Sequence, residues 1–456
     1  MQTNGTLDHI KRVHFVGIGG SGMSPLAEIL HEQGYAITGS DWGESDNIHR
    51  LEGLGIRIFK GHFAENLGDS ELLVYTSAVS GDNPELKAAK ERGIPMIERG
   101  ALLGEITRRY GRTFAVAGTH GKTTTSSMLS HTLLKADVDP SVFIGGRLPL
   151  IGANGRAGKS DVMVCEACEF QDHYLSMTPA YGIILNVDAD HLEYFGSLEG
   201  VIASFRKFAA LCDTLIVNAD DDNTLKAIEG TEKRVITCGL KDGCEWQAQS
   251  ITCKDSYFAF DCYHNDTLFT HIELGVPGRH NVSNALTAVA AAFECGVGAE
   301  AIADGIADFH GAGRRFEFLG TFAGVTVADD YAHHPTEITA TLTSAKAMGY
   351  NRVFAVFQPF TFSRTARHLD AFAEALSIAD VAVVSDIMGS REHNTWNVHS
   401  EQITEKMTNG VYLADFPQIT DYILDNVKEG DLVVTMGGGN VYYCARMIRD
   451  HLKERE

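Results

Sequence analysis

Long apolar runs are absent from this 456-residue sequence. A membrane-crossing helix needs roughly 18 consecutive apolar residues, and the best stretch, residues 285–293, is far too short. The opening MQTNGTLDHIKRVHF lacks the apolar core of an export signal, so a cytoplasmic protein is expected. Cysteine is sparse and odd in number, nine residues scattered along the chain, which excludes a secreted disulfide framework. Positive charge is short as well. Lys and Arg total 38 against 60 Asp and Glu, a net charge of -22 with no acidic block to account for it. Such a surface repels phosphate backbones, which excludes broad binding of a nucleic-acid polymer. Anionic ligands then need local sites made of backbone N–H groups and a few cations.

What is present suits a soluble globular protein: 44% hydrophobic and 21% charged residues. The length exceeds what one hydrophobic core serves, so two or three domains are expected. Three times the sequence restarts an α/β pattern. Apolar runs at 13–17, 36–38, 72–76 and 94–97 alternate with helical stretches, the first at 23–33. A second series comprises runs at 113–117, 162–165, 182–186 and 214–218, and a third comprises 353–357, 381–385 and 432–435. This alternation predicts parallel sheets flanked by helices. Residues 234–274, rich in Thr, Cys, Tyr and Phe with short alternations, predict an antiparallel meander instead. Boundaries fall near Gly111 and Gly320.

The strongest local signal is GTHGKTTT at 118–125, directly after an apolar strand and opening a helix. Glycines let backbone N–H groups close around phosphate oxygens, and the helix N-terminus adds partial positive charge. Lys122 would reach the β- and γ-phosphates and the Thr123 hydroxyl would ligate Mg²⁺. The loop is shorter than the usual one, since Val116 stands where its first Gly belongs. Phosphoryl transfer also needs a carboxylate at the end of a neighbouring strand, and Glu166 ends the run 162–165. NVDADH at 186–191 gathers Asp188, Asp190 and His191 at the same carboxyl edge, where open α/β sheets bind ligands. That set suits a second metal or the orientation of an acyl phosphate. Cys165 and Cys168 spell C-x-x-C, but with no second pair and Cys165 inside a strand they predict buried structural thiols.

A second glycine-rich turn, Gly17-Ile-Gly19-Gly20-Ser21-Gly22, also lies between strand and helix, with Asp41 about 20 residues on. Its physical content is a diphosphate on a helix N-terminus and a ribose hydroxyl at Asp41. NAD and a UDP-sugar satisfy it equally.

In order along the chain, VHFVGIGGSGM, GTHGKTTT, EACEFQDHYL, NVDADHLEYF, PGRHNVSNALTA, GAGRRFE, DDYAHHPTEI and FQPFTFSRT resemble the motifs of the Mur ligases nearly end to end. The likeness is greatest to the branch that joins L-alanine to UDP-N-acetylmuramic acid. It implies an α/β protein of three domains. These are a Rossmann-like N-terminal domain for the UDP-sugar (1–110), a P-loop ATPase-like central domain with added antiparallel strands for ATP (111–319), and a Rossmann-like C-terminal domain for the amino acid (320–456). The activity implied is ATP- and Mg²⁺-dependent ligation through an acyl phosphate, in peptidoglycan precursor synthesis. Its partners are small molecules, with no nucleic acid and no membrane insertion; the oligomeric state is left open.

By the same resemblance, ATP is held by Gly118, Thr119, His120, Gly121, Lys122, Thr123, Thr124, His280, Asn281, Asn284, Arg315 and Asp330. Metal falls to Thr123, Glu166 and His191, and catalysis to Lys122, Glu166, His191 and Arg315. The UDP-sugar side comprises Gly17, Gly19, Gly20, Ser21, Gly22, Asp41 and Ser77, and the amino acid meets His333 and Arg364. The sequence departs from the family at Glu166-Ala-Cys-Glu169, which leaves open which glutamate binds metal, and at Phe360-Thr361, where a basic pair is usual. Lys207 lies near a position that other branches carbamylate, although this branch is not expected to. Plainer roles compete: Asn281, Asn284 or Asp330 as helix caps, His333 and His334 as loop surface, Arg314-Arg315 as a solvated pair. At the level of function, a murein-tripeptide recycling ligase, an NAD-linked oxidoreductase and a non-catalytic nucleotide sensor compete.

Overall fold

The computed structural model describes residues 5–76, 79–390 and 392–455. The first sheet is wholly parallel: β1 (Arg12–Val16), β2 (Ala36–Asp41), β3 (Arg57–Lys60), β4 (Leu72–Tyr75) and β5 (Met96–Glu98), in the order β3-β2-β1-β4-β5. The order reverses between β1 and β4, the crevice where such sheets take nucleotides. Helices cover both faces, so Val13, Phe15, Leu72 and Val74 are completely buried.

The second sheet is assembled from β6 (Arg112–Ala117), β7 (Ser141–Leu148), β8 (Ala153–Arg156), β9 (Val162–Glu166), β10 (Tyr181–Ile184), β11 (Thr214–Asn218), β12 (Arg234–Gly239), β13 (Trp246–Lys254), β14 (Tyr257–His264) and β15 (Thr267–Pro277). Its order is β15-β14-β13-β12-β11-β10-β6-β9-β7-β8. The predicted meander begins later than expected. β12 runs parallel to β11, Thr214 opposite Arg234, because the helix Asp222–Ile228 carries the chain back across the sheet. Within residues 234–277 the hairpins are confined to β13 to β15. Their two-residue turns, Asp255-Ser256 and Asn265-Asp266, have all four φ between 48° and 69°, as tight hairpin turns require. The antiparallel hairpin β7–β8 at the opposite edge was not foreseen.

One compact unit contains the first sheet, most of the second and Ser283–Phe309. Inside it the hairpin β7–β8 packs on the first sheet's leading helix, Ser24–Glu32. A Cβ added to Gly155 would sit 2.7 Å from Pro25 Cβ. Arg50, paired to Glu28 at 2.8 Å, donates to the Ile151 carbonyl at 3.5 Å.

The other unit contains the third sheet together with Ile251–Phe260 and Glu273–Val282. This sheet comprises β16 (Glu317–Phe322), β17 (Val325–Asp330), β18 (Val353–Phe357), β19 (Val381–Val384), β20 (Gly410–Tyr412) and β21 (Leu432–Met436), ordered β16-β17-β21-β18-β19-β20. Only β16 is antiparallel to its neighbour. Asp330, Met436 and Phe357 lie side by side at the carboxyl ends of β17, β21 and β18, so the loops that follow emerge at one edge. No helix among the described residues is long and apolar enough to cross a membrane.

Candidate active site

The phosphate-type loop leaves β6 and enters the helix Lys122–Lys135 through two glycines at positive φ, Gly118 at 147° and Gly121 at 86°. Both conformations suit glycine alone, and space forbids more. A Cβ at Gly118 would lie 3.0 Å from Leu185 Cβ, and one at Gly121 would lie 2.8 Å from Asn284 Oδ1. Asn186, just past β10, braces the loop. Its backbone carbonyl accepts from Thr119 N at 3.1 Å. Its side chain accepts from His120 N at 2.8 Å and donates to the His120 carbonyl at 3.0 Å. Thr119 Oγ1 in turn accepts from Asp188 N at 2.9 Å. The motif NVDADH by itself gives no sign of this bracing role for its first residue.

Lys122 Nζ is folded over this loop, donating to the carbonyls of Gly118 at 2.5 Å and Thr119 at 3.2 Å and pairing with Glu169 at 2.9 Å. Burial pulls the ammonium pKa down, but the charge and hydrogen bond of Glu169, together with the nearby Cys168 and Glu166, hold the group above the ordinary lysine value. Glu169 is 3% exposed and is committed to this lysine. Glu166 differs. Its Oε1 accepts from Gly145 N at 2.5 Å and from Ser126 Oγ at 3.3 Å. A Cβ built on Gly145 would lie 2.8 Å from Glu166 Oε2 and 3.0 Å from Thr123 Oγ1. One point beside Gly145 thus lies within about 3 Å of both a carboxylate and a hydroxyl, an oxygen pair of the kind a hard cation takes. Among the described residues no three His, Cys, Asp or Glu side chains form a metal cage, and Mg²⁺ does not need one when phosphate and water complete its shell.

His191 opens the short helix Leu192–Phe195 at φ 53°. Its ring lies 4.9 Å from that of Phe170, and its Nε2 is 3.8 Å from Asp190 Oδ2. Burial and then the nearby Glu169 push the Cys168 thiol up, and burial does the same to Cys165, so both are packing groups. Lys207 is on the exposed face of the helix Leu198–Leu211.

In the glycine-rich turn after β1, Gly17 (φ 76°) and Ile18 donate to the Ser40 carbonyl at 2.8 and 3.1 Å. Asp41 accepts from Gly19 N at 2.9 Å and from Trp42 N at 2.8 Å, tying the end of β2 to the turn. A Cβ at Gly20 would meet the Gly17 carbonyl at 3.3 Å, and one at Gly22 would meet Arg99 at 3.1 Å. Ser21 belongs to the same turn. Ser77 lies outside the described residues.

The remaining residues, apart from Asn284, belong to the second unit. Asn281 is buried and donates to the Pro277 carbonyl at 2.7 Å, and the His280 ring abuts Gly278. The adjacent arginines have separate jobs. Arg314 binds Asp329 at 2.9 Å and the carbonyls of Gly437 and Gly439 at 2.7 and 2.9 Å, between the rings of Tyr331 and Tyr442. It is a structural tie, which adjacency in sequence did not reveal. Arg315 lies over Tyr331 at 5.1 Å, and its charge faces Asp330. That carboxylate accepts from Phe316 N at 2.7 Å and Ala332 N at 2.6 Å. Burial outweighs these partners and pushes Asp330 up to about 6. The cap of the helix Pro335–Lys346 is His334, not Asp330. His333 pairs with Glu337 at 3.3 Å. Burial lowers its pKa against the pull of Glu337, and the charges of Arg364 and Arg315 add to the fall, so both cations stand near it.

Two glycine-rich turns on parallel sheets, one of them carrying a lysine and a hydroxyl–carboxylate pair, define an α/β protein built to hold phosphorylated ligands. Family models narrow that class. The model for the Mur ligase family catalytic domain matches residues 12–111, the Mur ligase middle domain 116–292, and the Mur ligase glutamate ligase domain 314–439. The UDP-N-acetylmuramate–L-alanine ligase of Caldanaerobacter subterraneus subsp. tengcongensis is 45% identical over 444 residues, 96% of each chain. That of Acetivibrio thermocellus is 43% identical over 455 residues, 98% of this chain and 96% of its own. The crystal structure of UDP-N-acetylmuramate–alanine ligase MurC from Thermotoga maritima matches with a TM-score of 0.84 at 29% identity, over 98% of this chain and 100% of that one. A murein peptide ligase from Psychrobacter arcticus matches at 0.73 and 25%, over 97% and 98%. The chain belongs to the Mur ligase family.

Proposed function

We propose that this protein joins L-alanine to the carboxylate of UDP-N-acetylmuramic acid at the expense of ATP, a step in peptidoglycan precursor synthesis. The observation that carries the reading is the half-buried Lys122 held over a glycine loop, beside the Thr123–Glu166 oxygen pair at Gly145. Relatives that share over 40% of their residues along nearly the whole chain and bear that ligase name supply the substrate. Three domains at 1–110, 111–319 and 320–456 fit the three sheets, for sugar nucleotide, ATP and amino acid in turn.

The substrate carboxylate attacks the γ-phosphorus of ATP, the bond to ADP breaks, and an acyl phosphate forms. The amine of alanine then attacks the acyl carbon and phosphate leaves. Lys122 offsets charge on the transferring oxygens, and Arg315, by the family resemblance, supplies a further positive charge for the phosphates. Thr123 and Glu166 would hold Mg²⁺, with His191 contributing to a second ion. Mg²⁺ supplies charge neutralisation of the phosphates. Glu169 keeps Lys122 charged and aimed. Asn284 shapes the loop, while His280, Asn281 and Asp330 serve the nucleoside and His333 and Arg364 the amino acid. ADP release measured with UDP-N-acetylmuramic acid against alanine, glycine, serine and a murein tripeptide, with product mass, tests the reading. Alanine is expected to give the highest kcat/KM, and a preference for the tripeptide would reassign the protein to peptide recycling.

Asp330 gives the reaction a pH signature. With a folded pKa of about 6 against an ordinary 3.8, the stability it lends is complete below 3.8 and is lost as pH rises through 6. Activity has the opposite need, since only the carboxylate attracts Arg315. kcat/KM is expected to fall on the acid side with a midpoint near 6. Asp330→Asn should remove that limb and lower the plateau. A limb that persists in the variant belongs to another group.

A further inference from the structure

The helix Asp46–Gly53 makes polar contacts in two directions. Toward the glycine-rich turn, Asn47 Nδ2 donates to the Gly19 carbonyl at 3.0 Å. One helical turn on, Arg50 reaches the other way. Its Nε and Nη2 grip the two oxygens of Glu28, each at 2.8 Å, and its Nη1 donates to the Ile151 carbonyl at 3.5 Å. Asn47 and Arg50 are three residues apart, so they share one face of the helix. Glu28 is 6% exposed and belongs to the helix Ser24–Glu32, which follows the glycine-rich turn directly. Ile151 ends the short turn Pro149–Ile151 that joins β7 to β8.

The hairpin matters for what it carries. Gly145 of β7 donates its N–H to Glu166 and stands beside the Thr123–Glu166 oxygen pair. Elsewhere along this junction the contact is apolar: Leu26 and Ile29 share one core with Phe143 and Met163. Apolar contact is adhesive but non-directional, so it does not fix how far the hairpin stands from the helices. At the Arg50 corner a partly open cavity of about 190 Å³ lies among Glu28, Asn47, Arg50 and Asn154, and polar contacts set the spacing there. A guanidinium fork on a carboxylate fixes both distance and angle. A line of contacts thus runs from Gly19 through Asn47, Arg50 and Ile151 to the hairpin, and along it to Gly145.

We propose that Asn47, Arg50 and Glu28 form a strut that couples the two nucleotide pockets, so that each ligand binds more tightly when the other is present. They are positioning residues, acting on Gly19 and on the hairpin. A diphosphate on the glycine-rich turn fixes Gly19, and with it Asn47 and the helix that holds Arg50. Thr123 and Glu166, once they hold Mg²⁺ and ATP, fix the hairpin from its other end. The ligand that binds second finds the strut already ordered and bears less of that cost. The inference rests on the sugar-nucleotide and ATP reading above and adds the link between the two sites.

Calorimetric titration decides it without turnover. UDP lacks the carboxylate that ATP would phosphorylate, so UDP and Mg²⁺·ATP can occupy the full-length protein together. In wild type, saturating Mg²⁺·ATP should lower the Kd of UDP by about fivefold or more, and saturating UDP should lower that of Mg²⁺·ATP by the same factor. Arg50→Met with Glu28→Gln removes the pair without stranding a buried charge and should abolish the coupling. Asn47→Ala, which leaves the ion pair intact, should abolish it too. Arg50→Lys, which keeps the charge and loses the fork, should retain only part of it. A merely structural role would weaken one Kd or lower the melting temperature, and neither moves the ratio that defines coupling. Should the double variant fail to fold, Asn47→Ala and Arg50→Lys decide. Wild-type protein that binds both ligands independently overturns the strut while the ligase reading stands, and so does an Asn47→Ala or double variant that keeps the wild-type factor. Protein that binds no UDP removes the sugar-nucleotide reading and the strut with it.

Discussion

Lys122→Ala is expected to lower ADP release by at least about 10³-fold, the scale on which a preorganised charge at a reacting phosphate acts. The ammonium is largely withdrawn from solvent, held by the Gly118 and Thr119 carbonyls and kept charged by Glu169, so its charge is fixed on the loop. Removal has a second consequence, because Glu169 would remain buried without its partner at a cost of about 3–5 kcal/mol. The two effects separate in a double variant. Lys122→Met with Glu169→Gln removes both charges and should recover most of the lost thermal stability while ADP release stays at the floor. Turnover near wild type in either variant would mean that phosphate transfer does not pass by this loop. A double variant as unstable as Lys122→Ala would remove the pairing with Glu169 from the account.

Gly145→Ala is expected to disable the site without deleting any ligand. The new methyl carbon would stand 2.8 Å from Glu166 Oε2 and 3.0 Å from Thr123 Oγ1, inside the space where an ion would join them. Gly145 is exposed, so the fold has no reason to suffer. The Mg²⁺ concentration for half-maximal activity should rise by about 10–100-fold, the usual effect of disturbing the surroundings of a metal ligand. Thermal melting should be unaltered. Titration of activity with Mg²⁺ checks it. A half-maximal concentration equal to that of wild type would place the ion elsewhere.

Both predictions rest on features of different legibility. Lys122 and Thr123 could be placed from the sequence because a strand, a glycine turn and a helix follow one another within a dozen residues, and local order is what a sequence pattern records. Gly145 could not. It sits between the loop and Glu166 only because β7 pairs with β9, Phe143 opposite Cys165, and a strand pairing across that distance leaves no periodic trace. The same limit divided Glu166 from Glu169. Three residues apart, one ends a strand beside Thr123 and the other turns under Lys122, a choice made by backbone direction after the strand. Arg314 and Arg315 are adjacent and identical in chemistry. What separates them is the loop at 437–439, more than 120 positions later, whose carbonyls take Arg314. β12 departs from the sequence pattern for a related reason: its short alternation resembles that of a hairpin strand, and only the intervening helix and the partner β11 make it parallel.

The sequence by itself determined the class of fold, the two glycine-rich turns and the side chains that end the central strands. Hydrophobic period, turn chemistry and motif spacing are local and are imposed by backbone geometry. The tertiary structure alone decided which carboxylate faces the hydroxyl, which one holds the lysine, and which arginine is structural. Each of these depends on side chains far apart in sequence meeting at one sheet edge, and the energy of such meetings belongs to packing and desolvation rather than to any single stretch of chain.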